Sequence, residues 1–207
     1  MFHNGEQISN PQLIAEQFNA FFPGIGAQSH QTSGTIKSPD SYLPRRDNLV
    51  FNFLPINNKA VSDIISKLKP KDSTGFDNIS TRMLKFLGNL LTPVLSLVIN
   101  QSLLTGIFPA KLKIAKVIPI FKKDDNAIFG NYRPISLLPA ISKVFEKVVF
   151  KQIYSYFQVN SLFFCSQYGF REGHSTELAA AELVDRIYDQ LDNGNISLAI
   201  FLDLFKK

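Results

Sequence analysis

Apolar residues recur at helical spacing in several stretches of this chain. Leu13, Ile14, Phe18 and Phe21/Phe22 form one stripe behind Ser9 or Asn10, with Pro11 in the first turn, and predict a helix over residues 8–22. Val61, Ile64, Ile65 and Leu68 predict a second, capped by Asn57 or Asn58 and stopped by Pro70. Ser80 caps a short helix through "TRMLKFL", and a longer one runs from about Leu90 to Thr105 and closes at Gly106. Over 140–158 an amphipathic helix turns Ile141, Val144, Phe145, Val148, Val149, Ile153 and Phe157 inward. A last helix, about 176–192, carries Leu178, Ala181, Leu183/Val184, Ile187 and Leu191 and ends at Gly194. Two stretches read as strands instead. "IAKVIPIF", residues 114–121, is β-branched and apolar, with Pro119 marking an edge or a bulge, and "ISLAIFLDL" begins at Ile196. Residues 23–50 show no period and read as a partly disordered linker, so the chain divides into an N-terminal helix with linker (1–50) and a larger domain (51–207). The sum is a helix-rich α+β arrangement whose sheet looks incomplete.

Composition narrows the class. Of 207 residues, 45% are hydrophobic, enough for a real core. No apolar run reaches the ~18–20 residues of a membrane span, and "MFHNGEQISN" has no basic and apolar leader, so neither a membrane segment nor a signal peptide is expected. A lone cysteine, Cys165, excludes an internal disulfide and a cysteine zinc site; after Phe163-Phe164 it reads as a small buried hydrophobe. A reducing compartment, nucleus or cytoplasm, is the expectation. The net charge is +5 but uneven. Residues 111–151 carry nine Lys/Arg against three Asp/Glu, a net +6, and residues 152–207 carry a net −3. A basic middle section suits a polyanion such as nucleic acid or a nucleoside triphosphate, or simply a solvated basic face.

Three places could carry chemistry. Asp203 ends an apolar strand, where an ionised carboxylate is poorly placed unless it sits at an edge, is paired, or binds a metal such as Mg²⁺. Pro134 holds Arg133 extended, so its guanidinium projects from a stiff segment; if "NYRPISLL" pairs with the preceding strand, Arg133 meets Lys122 and Lys123. In "QYGFREGHST", Gly169 and Gly173 permit close backbone approach, Arg171 and His174 add polar reach, and Ser175 or Thr176 can cap the next helix. Each also has a plainer reading: a strand-end acid, charge around a turn, a capped loop. Asp124-Asp125 sits between lysines and reads as a solvated turn. His3, His30 and His174 are too scattered for a metal site or a triad.

Four segments in order resemble the reverse transcriptase domain of non-LTR (LINE-like) retrotransposons. They are "LLTPVLSLVINQSLLTGIFPAKLKIAKVIPIFKKDD", "NYRPISLLPAISKVFEKVV", "SQYGFREGHSTELAA" and "LAIFLDLFKK". "STGFDNISTRMLKFL" resembles the segment that precedes them, and "IAEQFNAFFPGIG" the region joining endonuclease to polymerase. The resemblance covers residues 55–207 and implies the fingers and first palm strand of a right-hand polymerase. It further implies Asp203 as first catalytic aspartate and Mg²⁺ ligand. Lys122, with Lys123 as the alternative, and Arg133 would hold the incoming triphosphate, and Arg171 would lie where template and nucleotide meet.

The complete family copies an RNA template into DNA from a primer and deoxynucleoside triphosphates with two Mg²⁺ ions. Here "FLDL" leads into "FKK" where the family reads S-K-A-F-D, and the Tyr/Phe-x-Asp-Asp motif is absent. One aspartate cannot hold two magnesium ions in octahedral geometry, so the expectation is a domain truncated after its first palm motif and inactive as this chain. The alternatives are a non-catalytic nucleic-acid-binding module and a translated relic without function.

Overall fold

The computed structural model describes residues 1–3, 6–27 and 49–202. Most of the linker expected over 23–50 lies outside the described residues, as do His30 and Asp203. The chain separates into two compact units, Met1–Tyr154 and Ser155–Lys207.

The elements of the first unit, in order, are β1 (Phe2–His3), β2 (Glu6–Gln7), α1 (Pro11–Ala27), α2 (Asn58–Ser66), α3 (Thr81–Phe86), α4 (Gly88–Thr105), β3 (Lys116–Phe121), β4 (Tyr132–Leu137) and most of α5 (Ala140–Val159). Their ends follow local chemistry. Asn57 accepts from the Ala60 N–H and Ser80 from the Met83 N–H, so each cap satisfies a donor that the first helical turn leaves free. Gly106 closes α4 in the left-handed conformation at φ +70°, where a side chain would be strained. α2 ends before Pro70 because Lys85 of α3 donates to the Ser66 and Leu68 carbonyls at 2.7 and 2.9 Å, taking over acceptors at its C-terminus.

The core lies where α2, α3, α4 and α5 meet. Val61, Ile64 and Ile65 of α2, Leu84 of α3, Leu95 and Ile99 of α4, and Val144, Phe145 and Val148 of α5 are buried together. In α2 and α5 the helical spacing selects these positions; Leu84, Leu95 and Ile99 are core positions that spacing did not single out. Ile153 and Phe157, expected on the buried stripe of α5, are exposed. They lie beyond the last turn of α5 that reaches this core.

Polar side chains tie the connecting segments to this core. Asn100 of α4 accepts from the Ile56 N–H and donates to the Ile56 carbonyl, both at 2.8 Å. Gln152 of α5 does the same at Leu54, at 2.8 and 2.9 Å. Each amide thus supplies the donor and acceptor that a neighbouring strand would supply, and the extended segment before α2 needs no sheet. Thr81 accepts from the Lys71 N–H and donates to the Lys69 carbonyl, which folds the 71–80 loop back on α3. Gly75 in that loop lies against the backbone that leaves β4: a Cβ there would sit 2.8 Å from the Pro139 nitrogen.

β3 and β4 form an antiparallel ribbon, Lys116 opposite Leu137 through Phe121 opposite Tyr132. Pro119 faces Pro134. Antiparallel pairs alternate between bonded and non-bonded. The Lys122 N–H donates to the Asn131 carbonyl at 2.8 Å, so counting back makes Pro119–Pro134 a non-bonded pair. No ladder bond is lost, and both outer edges lack an N–H at that point, which blocks addition of a further strand. The edge role read from Pro119 holds for both strands. α1 packs on one face of the ribbon's closed end. The Phe18 ring lies 4.7 Å from that of Phe129 and 5.1 Å from that of Tyr132, both edge to face.

The second unit holds the end of α5, a loop, and α6 (Thr176–Asp192). No residue of α6 is fully buried, and most of its apolar stripe is exposed. Two expectations fail here. Cys165 is exposed, because its loop folds through backbone carbonyls and leaves the thiol outside. The strand expected from Ile196 is absent: residues 195–202 form no strand, and Ile196 is 98% exposed. A strand exists only by pairing, and among the described residues each paired strand is satisfied within its own two-stranded ribbon.

Candidate nucleotide-binding ribbon

Lys122 and Arg133 are brought together by strand register. Arg133 pairs with Ile120, and the Lys122–Asn131 bond extends the ladder by one residue. Side chains alternate along a strand, so Lys122, Ile120 and Arg133 share one face, while Phe121 and Tyr132 point to the other. Lys122 and Arg133 are diagonal neighbours on that face, about 7–8 Å apart at this register. Lys123 belongs to the turn and not to the ladder. Register therefore separates the two lysines, which sequence alone left open.

The turn that aligns them is held by its own side chains. Asp125 Oδ1 accepts from the Ala127 N–H at 2.8 Å, Asn131 Nδ2 donates to the Asp125 carbonyl at 2.8 Å, and the Tyr132 hydroxyl donates to the Asn126 carbonyl at 2.9 Å. The Asp124-Asp125 pair is a turn-forming pair, as its setting between lysines indicated. The aromatic contacts of Phe18 fix the opposite face of the ribbon, so the cationic face is presented on a supported scaffold.

Of the other cations of the basic segment, Lys116 opens β3 on the face of Lys122 and Arg133 but at the far end of the ribbon, opposite Leu137, and the rest lie on other elements. Lys143, Lys147 and Lys151 recur at four-residue spacing along α5, and Lys111 and Lys113 lie in a short 3₁₀ turn, Ala110–Lys113. The net +6 of residues 111–151 is thus spread over several elements.

Arg171 is engaged within its own unit. Its guanidinium donates from Nη1 to the Phe164 carbonyl at 3.3 Å and lies 5.5 Å from the centre of the Phe163 ring. His174 stacks edge to face with Tyr168 at 5.4 Å. Ser175 caps α6 by accepting from the Leu178 N–H at 3.2 Å. Its hydroxyl hydrogen bond, followed by the backbone N–H of Glu177 itself, holds the Glu177 carboxyl below the ordinary glutamate range. The sign follows directly. A carboxyl with a depressed folded value stabilises α6 above its unfolded value, and that contribution is lost as pH falls through the folded one. Ser175→Ala is expected to raise the Glu177 titration toward the ordinary range, read by carbon-detected NMR, and to weaken the α6 cap by about 1 kcal/mol. An unchanged Glu177 titration would remove this account.

Asp203 lies outside the described residues. Among the described residues no group of three or more His, Cys, Asp or Glu is placed to hold a metal ion. No chemical step through a metal is assigned to the described side chains. No helix among the described residues is long and apolar enough to cross a membrane. Sequence reasoning missed Phe18, Phe129 and Tyr132 as supports of the ribbon. Their only signal was a run of aromatics in two segments more than 100 residues apart.

No protein-family model matches the chain. Curated relatives do. Over 206 residues, 97% of this chain and 22% of the relative, it is 31% identical to a probable RNA-directed DNA polymerase from transposon BS of Drosophila melanogaster. It is 30% identical over 151 residues, 72% of the chain and 16% of the relative, to the RNA-directed DNA polymerase from mobile element jockey of Drosophila funebris. It is 32% identical over 146 residues, 70% and 16%, to a probable RNA-directed DNA polymerase from transposon X-element of D. melanogaster. The chain thus spans between 16% and 22% of the length of these relatives.

Proposed function

This chain belongs to the RNA-directed DNA polymerases of non-LTR retrotransposons, as a segment of that longer protein, and from that premise we propose that the β3–β4 ribbon receives the triphosphate of an incoming deoxynucleotide. The observation that carries the proposal is the ladder bond from Lys122 to Asn131, which sets Lys122 beside Arg133 on one face. The two cations complement each other. An ammonium is a compact point charge that follows the most negative oxygen, and a guanidinium offers a planar fork that engages two oxygens at once. Pro134 keeps Arg133 extended, and the aromatic support behind the ribbon reduces the ordering cost on binding.

In the same reading the first unit supplies the fingers of a right-hand polymerase, and Asp203 is the first catalytic carboxylate of the palm. RNA template and DNA primer are the nucleic-acid partners of the longer protein. Arg171 holds its own loop through Phe163 and Phe164, and by the family likeness that loop would meet template and nucleotide in the longer protein. A polypeptide of these 207 residues is expected to bind triphosphate without extending a primer.

Equilibrium binding tests the reading. Affinity should fall in the order deoxynucleoside triphosphate, diphosphate, nucleoside. Lys122→Ala and Arg133→Ala should each weaken triphosphate binding by about 10-fold, or ~1.4 kcal/mol, and Lys123→Ala by less than about twofold. Equal losses at Lys122 and Lys123, or a nucleoside bound as tightly as its triphosphate, would contradict it.

A further inference from the structure

We propose that α4 carries a seam for a second copy of this chain, independently of the nucleotide-binding reading. The helix is apolar on two sides. Leu95 and Ile99 face the core, while Leu90, Val94, Leu97 and Leu104 are exposed, Leu90 by 77%, Leu97 by 71% and Leu104 by 83%. A second apolar face on a helix is a surface that ordinarily finds a cover. The outward residues are not scattered. Leu90, Val94, Leu97, Gln101 and Leu104 follow one another at spacings of four, three, four and three, the repeat of a coiled-coil seam. Leucine takes every d position, valine one a position, and glutamine the other.

Three observations select a second copy as the occupant. First, the seam is self-complementary. A side-chain amide is both donor and acceptor, so across a parallel two-fold axis Gln101 meets Gln101 and both can be satisfied. In an antiparallel arrangement a positions meet d positions, so Gln101 would face a leucine and lose a partner. Second, the 18 residues of α4 include no Asp, Glu, Lys or Arg, so two copies approach without bringing like charges onto the seam. Third, the area suffices. Leu90, Val94, Leu97, Val98, Leu104 and the neighbouring Ile107 expose on the order of 700 Å² per copy, against ~800 Å² per partner in a standard interface. Apolar grooves flank the seam, one reaching Phe53 and Pro55 and the other Ile107 and Pro109, and both border Leu97 and Gln101. A leucine from a second copy has a recess on either side, as knobs-into-holes packing requires.

Sedimentation equilibrium of the full chain tests this. A dimer with a dissociation constant on the order of micromolar, the weak end for an interface of this size, is expected, and it should persist in high salt because the seam is uncharged. Leu97→Glu should raise that constant by at least about 100-fold, since two buried leucines are lost per dimer. Its monomer should keep the parent's thermal melt, because Leu97 points away from the core. In a Cys165→Ser background, Gln101→Cys should oxidise to a covalent dimer and Asn89→Cys should not. That pair decides the matter if Leu97→Glu fails to fold. A chain that stays monomeric at high micromolar concentration overturns the proposal. So do association that survives Leu97→Glu and equal crosslinking at both cysteines.

Discussion

Phe145→Ala is expected to lower unfolding stability by about 3–5 kcal/mol, the cost of removing a buried ring and leaving its cavity. Phe145 is 1% exposed, and its ring meets that of Phe108 edge to face at 5.3 Å. It also belongs to the buried cluster built by α2, α3, α4 and α5. Urea unfolding followed by circular dichroism measures the loss. Phe150→Ala on the same helix, at a ring that is half exposed, is the control and should cost less than about 1 kcal/mol. Similar losses at both sites would mean that this cluster is not the folding core.

Gly75→Ala is the second large effect, and its cause differs. Gly75 has no unusual backbone angle, so alanine would by itself stabilise slightly, by about 0.4–1 kcal/mol, through the unfolded chain. The added Cβ, however, would stand 2.8 Å from the Pro139 nitrogen and 3.0 Å from the Leu138 carbonyl carbon. These are backbone atoms at the start of α5, and they cannot rotate away as a side chain would. Strain of about 1–3 kcal/mol should win, giving a net loss in thermal unfolding. Because Leu138 directly follows β4, the same shift should disturb the ribbon and weaken triphosphate binding. Gly24→Ala, where nothing lies within 4 Å of the added carbon, should be neutral or stabilising. A stabilised Gly75→Ala protein would show that the 71–80 loop does not bear on β4.

Features written in nearest-neighbour chemistry could be read without coordinates. Asn57, Ser80, Ser175 and Gly106 are caps because their own side chains, or the lack of one, satisfy or permit local backbone geometry. The ribbon was legible because Pro134 forces extension and the apolar run before Lys122 offered a partner. What could not be read depends on distant segments. The amides of Asn100 and Gln152 are ordinary surface-type residues until Ile56 and Leu54 arrive beside them, 44 and 98 residues away in sequence. The failures share one cause. α6 and "ISLAIFL" carry the right period for burial or pairing, but period shows only that a segment is fit for a partner. Whether the partner is present is a property of the fold, and among the described residues both stay largely exposed. Arg171 shows the same limit from the other side: its charge and glycine-rich setting suggest a ligand, while its guanidinium reaches Phe163 and Phe164.

A triphosphate is expected to choose one face of one ribbon from a basic segment spread over several elements. Amide chemical-shift mapping of the isotope-labelled chain during titration with a deoxynucleoside triphosphate tests that choice most directly. Saturable shifts should concentrate at residues 120–122, 131–133 and 135, leave Lys111, Lys113, Lys147 and Lys151 nearly unmoved, and need about tenfold more nucleotide to saturate in Arg133→Ala. Shifts spread evenly over every lysine-bearing element, or centred on α5, would contradict it.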